Sequence, residues 1–222
     1  MTKLTQITGT EIELNIQSDH SKWHFETPQN YTKEILEEWQ TQPYQPFISK
    51  LDKVFLDIGA NVGLFTLHVM PFVEKIICVE PTESHNQVFE DLMNGNKKVT
   101  LESSALHNYT GTVGYHIEPV NFTMNRVNVS GIGIEVPCIT LYDLCKKHNL
   151  TDVDFCKIDI EGSEDLAITV ETIRPVNHII KKFSIELHPR TKEMQDKYKL
   201  IFEEAGYKAE YVDFNGTIFA YK

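Results

Sequence analysis

The chain has 222 residues, 41% of them hydrophobic, enough to pack one domain with a short extension, which excludes a globally disordered protein. Its 32 acidic against 21 basic residues leave a formal net charge of -11, so the average surface repels DNA and RNA. No stretch approaches the ~20 apolar residues of a membrane span, and no two of Cys78, Cys138, Cys145 and Cys156 form a C-x-x-C pair that would suggest zinc or redox chemistry.

Residues 1–50 differ in texture from the rest and read as an N-terminal extension. Met1 leads into polar sequence rather than a signal peptide, so the expectation is a reduced, cytoplasmic protein. Glu11 to Ile16 alternates polar and apolar residues, as a half-exposed strand does, and Thr32 to Trp39 reads as a short helix before the breakers Pro43 and Pro46. The aromatic cluster Trp23-His24-Phe25 suits core packing, or a lid over a site.

From residue 51 short apolar strands alternate with helices. A strand over Val54-Phe55-Leu56 ends at Asp57 and a glycine turn; Val62 to Met70 is a helix stopped by Pro71. Lys75 to Val79 is the second strand, ending at Glu80-Pro81. Ser84 to Met93 is a helix that Ser84 could cap, and Thr100 to Ser104 is the third strand. Gly111 to Ile117 and Ile134 to Ile139 read as an inserted hairpin. Leu141 to His148 is helical, Phe155 to Ile160 is the fourth strand and Glu164 to Glu171 a helix. Ile179 to Leu187 holds the fifth strand, and Thr191 to Ala205 is a helix ended by Gly206. Asn215-Gly216 between two β-rich runs signals a closing hairpin. Repeated β-α units imply a mostly parallel sheet covered on both faces. With the terminal antiparallel hairpin, the fold class is α/β, a doubly wound Rossmann-like sheet of seven strands over residues 51–222, as in class I methyltransferases.

The turn Asp57-Ile58-Gly59-Ala60-Asn61-Val62-Gly63 lies where a doubly wound sheet binds ligands, at the carboxyl ends of its strands. Its Gly59-x-x-x-Gly63 spacing is not G-x-G-x-x-G, and Asp57 would repel a pyrophosphate, which argues against a nicotinamide oxidoreductase. S-adenosylmethionine carries a cationic amino-acid end and a sulfonium, which an acidic neighbourhood suits. Glu80, at the end of the second strand, is placed to accept both ribose hydroxyls. Ser104 and Ala105, at the end of the third, are placed near the adenine. The glycines are read as letting backbone approach the ligand. Two plainer roles compete: Asp57 as a helix cap and Glu80 as a turn acid.

The chain here resembles the FkbM family of methyltransferases. The resemblance rests on Val54 to Gly63, on Val79-Glu80-Pro81, on Cys156-Lys157-Ile158-Asp159-Ile160-Glu161-Gly162-Ser163-Glu164, and on Ile185-Glu186-Leu187-His188-Pro189. It spans roughly residues 53 to 221 and implies methyl transfer from S-adenosylmethionine, usually to a hydroxyl of a sugar or natural product. It also implies Asp57, Gly59 and Glu80 as cofactor contacts. Tyr142 stands where the family tends to have a second acid.

Strand alternation places Lys157, Asp159 and Glu161 on one side, if the fourth strand runs that far, and Glu186 and His188 on one side of the fifth. Four catalytic candidates, Asp159, Glu161, Glu186 and His188, then converge beside the methyl group. His188 suits a general base, with Asp159 orienting the acceptor or sharing that role. The same donors also suit magnesium, although no metal site is assigned. Glu161 and Glu164 have a plainer reading as acids at a helix start, Lys157 as a neutraliser of the cluster, and His188 as a strand-end histidine. His20, His24, His85 and His107 read as surface or packing residues. The expected function is O-methylation of a small molecule or glycan. An N-methyltransferase acting on a base would want an aromatic N-P-P-Y-like loop, where this chain has Ile158-Asp159-Ile160-Glu161; a non-catalytic S-adenosylmethionine-binding protein would not need the acidic cluster.

Overall fold

The computed structural model describes residues 2–5, 11–14, 47–118, 125–128, 133–212 and 216–222. The expected helix at 32–39 and the cluster Trp23-His24-Phe25 lie outside them. Strands β1 (Thr2–Thr5) and β2 (Glu11–Leu14) pair antiparallel.

Five apolar runs give the parallel strands β3 (Val54–Ile58), β4 (Lys75–Val79), β5 (Val99–Glu102), β10 (Phe155–Ile158) and β11 (Lys182–Glu186). The closing hairpin gives β12 (Lys208–Tyr211) and β13 (Thr217–Tyr221). These seven strands form one sheet in the order β12-β13-β11-β10-β3-β4-β5. Only β13 runs against the rest, and it lies between β11 and β12 rather than at the sheet edge. The chain winds outward from β3 through β4 to β5, then returns to lay β10 on the other side of β3. A crevice opens at such a reversal, above the ends of β3 and β10.

Alternation along the buried strands divides the core in two. Leu56, Ile58, Ile77, Val79, Ile158 and Ile185 face helices α3 (Leu141–Lys147), α5 (Val170–Ile173) and α6 (Lys192–Glu204). Phe55, Ile76, Cys78 and Phe155 face α1 (Leu64–Val69) and α2 (Glu83–Met93). At ~25 cal/mol per Å² of apolar area removed from water, each fully buried Leu, Ile or Phe contributes about 1.5–3 kcal/mol, so the sheet is the rigid platform for the loops at its end.

A second, four-stranded sheet has the order β6-β9-β7-β8, from β6 (Ala105–Leu106), β7 (Gly111–His116), β8 (Arg126–Val127) and β9 (Ile134–Ile139). The hairpin β7-β9 was legible in the sequence; the two-residue strands β6 and β8 carry no local pattern to reveal them. Its small core of Ala105, Tyr115, Val127, Val136 and Cys138 packs against Leu166.

Three local expectations are corrected. The fourth strand stops at Ile158, because Glu161 (φ 53°) and Gly162 (φ 93°) turn the chain in the left-handed region, so strand alternation does not reach Glu161. The helix expected at 164–171 is two short ones, α4 (Glu164–Ala167) and α5, separated where Ile168 is extended and Thr169 opens a capping box. Helix α2 begins one residue earlier, with Thr82 in the cap position, and Ser84 lies inside it. Among the described residues no helix is long and apolar enough to cross a membrane.

Candidate active site

The turn after β3 is tied to the end of β4. The amides of Gly59 and Ala60 both donate to the Val79 carbonyl, at 2.9 and 3.0 Å, and the Asn61 amide donates to Glu80 Oε2 at 3.1 Å. Asn61 itself is left-handed, with φ 51°. Glu80 Oε1 accepts from the Thr82 amide at 2.8 Å and from His85 Nδ1 at 3.3 Å. Burial pushes the Glu80 carboxyl up, but the His85 bond and charge, with the Thr82 contacts, outweigh it and hold the group below the usual carboxylate range. Glu80 is therefore a buried, charged acceptor fixed at the mouth of the crevice. His85, read from sequence as a packing residue, is one of its partners; that contact lies one helical turn away and has no signature of its own.

Packing gives the glycines a reason of its own. A Cβ on Gly59 (φ 74°) would lie 1.7 Å from the Asp159 carbonyl oxygen, and one on Gly63 (φ 89°) 2.6 Å from the Phe89 ring and 2.7 Å from Met93 Cε. Protein atoms occupy both positions: Gly59 admits the end of β10, and Gly63 admits the packing of α2 against α1.

Asp57 is fully buried. Its Oδ2 accepts from the Thr66 hydroxyl at 2.7 Å, and its Oδ1 lies 3.4 Å from Lys157 Nζ. Lys157 also donates to the Gly59 carbonyl at 2.9 Å and lies 3.6 Å from Asp159 Oδ2. Burial would lower the Lys157 pKa, but the charges of Asp57, Asp159 and Glu186 raise it, so the ammonium stays charged in the interior. Lys157 thus joins the turn after β3 to the acidic cluster, which is the neutralising role read from the sequence.

The catalytic candidates come together beyond the ends of β10 and β11. His188 Nε2 lies 3.5 Å from Glu161 Oε2 and 3.8 Å from Glu186 Oε1, and its Nδ1 lies 3.2 Å from Glu164 Oε1. Glu186 is also paired with Arg190. Donor atoms of Asp159, Glu161 and His188 all lie within 4.8 Å of one another. Burial would lower the His188 pKa, yet the Glu164 bond and the charges of Glu161 and Asp159 raise it to about 9. Burial and then the Asp159 charge push the Glu161 carboxyl up to about 7, against the pull of His188. Groups this close titrate as one system rather than singly.

The second sheet contacts both halves of the site. The Val127 amide donates to the Ser163 hydroxyl at 2.9 Å, which fixes β8 against the turn that carries Glu161. A Cβ on Gly162 would lie 3.9 Å from His188 Cβ and 4.0 Å from Arg126 Cδ. On the other side the Thr82 hydroxyl meets Tyr115 Oη at 3.3 Å and accepts from Asn125 Nδ2 at 3.3 Å. Ser104 and Ala105, at the junction of the two sheets, are both buried. Sequence reading gave no role to Thr82, Tyr115, Asn125, Arg126 or Ser163; the second sheet, whose pairing is non-local, brings Tyr115, Asn125 and Arg126 to this side of the fold.

The strand order, the one reversed strand and the acid-rich crevice over β3 and β10 define a Rossmann-like class I methyltransferase fold. The profile of the "Methyltransferase FkbM domain" matches residues 57–209, and the chain belongs to that family. Among solved structures, methyltransferase FkbM from Methylobacillus flagellatus KT is 18% identical, with a TM-score of 0.56 over 82% of this chain and 47% of that one. This chain thus spans about half the length of that protein. Precorrin-6y C5,15-methyltransferase from Geobacter metallireducens GS-15 matches at 16% identity, a TM-score of 0.45, and 77% and 80% of the two chains. Aeropyrum pernix fibrillarin with natively bound S-adenosyl-L-methionine matches at 11% identity, a TM-score of 0.45, and 76% and 66%. No curated protein matches the chain.

Proposed function

We propose that this protein is an S-adenosylmethionine-dependent methyltransferase acting on a hydroxyl of a sugar, glycan or natural-product small molecule, with residues 51–222 as its catalytic domain and residues 1–50 as an extension. The observation that carries the reading is the His188 cluster, set beside a crevice whose other wall holds the fixed carboxylate of Glu80. The residues fit the cofactor. Glu80 Oε2 takes a bond from the Asn61 amide and keeps acceptor capacity for ribose hydroxyls. The turn from Asp57 to Gly63 carries no cation to attract a pyrophosphate. Ser104 and Ala105 would flank the adenine, and Asn61 and Gly63 shape the turn below the amino-acid end.

The cofactor supplies an electrophilic methyl group on a positively charged sulfur. The chain must hold the acceptor oxygen in line with it and take the proton. His188 Nε2 takes that proton, Asp159 orients the acceptor hydroxyl, and Glu161 and Glu186 stabilise the charged imidazole. Positioned bases of this kind give ~10²–10⁴-fold in rate. Because the carboxylates raise His188 to about 9, the free base is a minor form at neutral pH. Turnover therefore climbs with pH and levels off near that value.

A second reading has one observation in its favour: the converging donors of Asp159, Glu161 and His188 could hold a divalent cation that acidifies the acceptor. The net charge of -11 speaks against nucleic acid as acceptor, and four free, buried cysteines suit a reducing, cytoplasmic setting. The test is a screen with labelled methyl donor against nucleotide sugars, glycans, polyketide-like alcohols and RNA oligonucleotides, each with and without EDTA. Label entering an ether and surviving EDTA supports the base reading; loss with EDTA supports the cation. Label on nitrogen alone refutes hydroxyl methylation, and label in RNA alone refutes a small-molecule or glycan acceptor. His188→Ala and Asp159→Asn should keep affinity for S-adenosylhomocysteine and lose turnover.

A further inference from the structure

We infer that Glu164 is a positioning residue that fixes His188 with its Nε2 toward the acceptor. The inference rests on the reading of His188 as the base. Glu164 has no exposed surface, and its Oε1 accepts from His188 Nδ1 at 3.2 Å and from the Gly162 amide at 3.2 Å. Its Oε2 is sealed from solvent and has no hydrogen-bond partner among the described residues. A buried carboxylate with one oxygen unsatisfied costs free energy. Packing alone would favour a neutral or apolar side chain here, so its retention needs another reason.

Capping does not supply it. Helix α4 has only four residues, and the Glu164 carboxylate is spent on the histidine and on Gly162 rather than on its first-turn amides. The geometry gives the reason. Glu164 Oε1 already accepts from the Gly162 amide, so the ring atom that bonds to the same oxygen must carry hydrogen, and Nδ1 holds its proton whether the ring is neutral or charged. Nε2, 3.5 Å from Glu161 and 3.8 Å from Glu186, is left as the nitrogen that gains and loses the proton. The Gly162 amide, bonded to the same oxygen, locks the carboxylate to the turn that carries Glu161. One buried side chain thereby sets the tautomer of the base and its distance from the rest of the cluster.

The test compares wild type with Glu164→Ala, Glu164→Gln and Glu164→Asp. Long-range ¹H–¹⁵N NMR of the histidines, bound to S-adenosylhomocysteine and recorded where the ring is neutral, should show Nδ1–H at His188 in wild type and a mixture of tautomers in Glu164→Ala. With an acceptor from the screen, kcat should fall roughly 10–100-fold in Glu164→Ala with acceptor KM unchanged, and Glu164→Asp should recover part of it. If Glu164→Ala does not fold, Glu164→Gln, of the same volume, carries both measurements with smaller changes in the same direction. A wild-type ring protonated at Nε2, or an unchanged tautomer and kcat in the folded variants, overturns the inference. The NMR arm needs no acceptor, so a wrong acceptor class fails only the screen.

Discussion

Replacing Gly59 by alanine tests the most sharply determined feature of the site. The backbone there has φ 74°, and the new Cβ would sit 1.7 Å from the Asp159 carbonyl oxygen and 2.8 Å from its carbon. Two costs add. The left-handed conformation costs a residue with a Cβ about 1–2 kcal/mol, and forcing a methyl group into packed protein costs about 1–3 kcal/mol more. The expected loss is thus about 2–5 kcal/mol. Little can relieve it, since the obstructing atom is backbone and β10 is held by β3 on one side and β11 on the other. Gly95 separates the two costs: it has φ 68°, but nothing lies within 4 Å of its would-be Cβ, so Gly95→Ala should lose only the conformational part. Urea denaturation of both variants without cofactor is the assay, because stability then cannot be confused with lost binding. Equal losses in the two variants would show that β3 and β10 do not meet as described, and the close approach of the turn after β3 to Asp159 would fall with it.

Three further outcomes follow from the same geometry. Glu80→Ala should weaken S-adenosylhomocysteine binding by on the order of 1–3 kcal/mol in calorimetry, the scale for hydrogen bonds to a charged group; unchanged affinity would remove Glu80 from the cofactor site. Lys157→Met leaves Asp57 charged and buried, so stability should drop by about 3–5 kcal/mol in a denaturant titration, and the double variant with Asp57→Asn should regain much of that. A single and double variant that lose equally would mean the pair is not coupled. His188 is raised in the folded state to about 9, so its contribution to stability is fully present below its unfolded pKa of about 6.5 and is lost as pH rises through about 9. The loss is on the order of 2–3 kcal/mol; Glu161, also raised, adds to the decline at lower pH. The difference in unfolding free energy between wild type and His188→Asn should shrink over that interval, and a constant difference would contradict the ion cluster.

Sequence by itself determined the elements and their order. Strands such as Val54–Ile58 and Lys75–Val79 are buried on both faces and therefore carry the apolar runs Val54-Phe55-Leu56 and Ile76-Ile77-Cys78-Val79, and strand ends are marked by acids and glycines because the chain must turn there. Glu80, Asp159 and His188 are singled out as candidates for that reason: position at a strand's carboxyl end is local information. Their partners were not local. Glu164 reads as an ordinary helix-start acid until the neighbouring strands β10 and β11 bring it to His188, 24 residues away in the chain. Lys157 meets Asp57 across 100 residues because β3 and β10 are neighbours. The glycines of the turn were legible, but their part in packing was not, since the obstructing atoms belong to Asp159, Phe89 and Met93. Strand β8 has two residues, too few for any periodicity, and exists because β7 and the Ser163 hydroxyl offer it partners. Hydrophobic period and turn chemistry act over a few residues and are written in the chain; strand order, and with it the charge and proton state of His188, is set by packing the whole sheet at once.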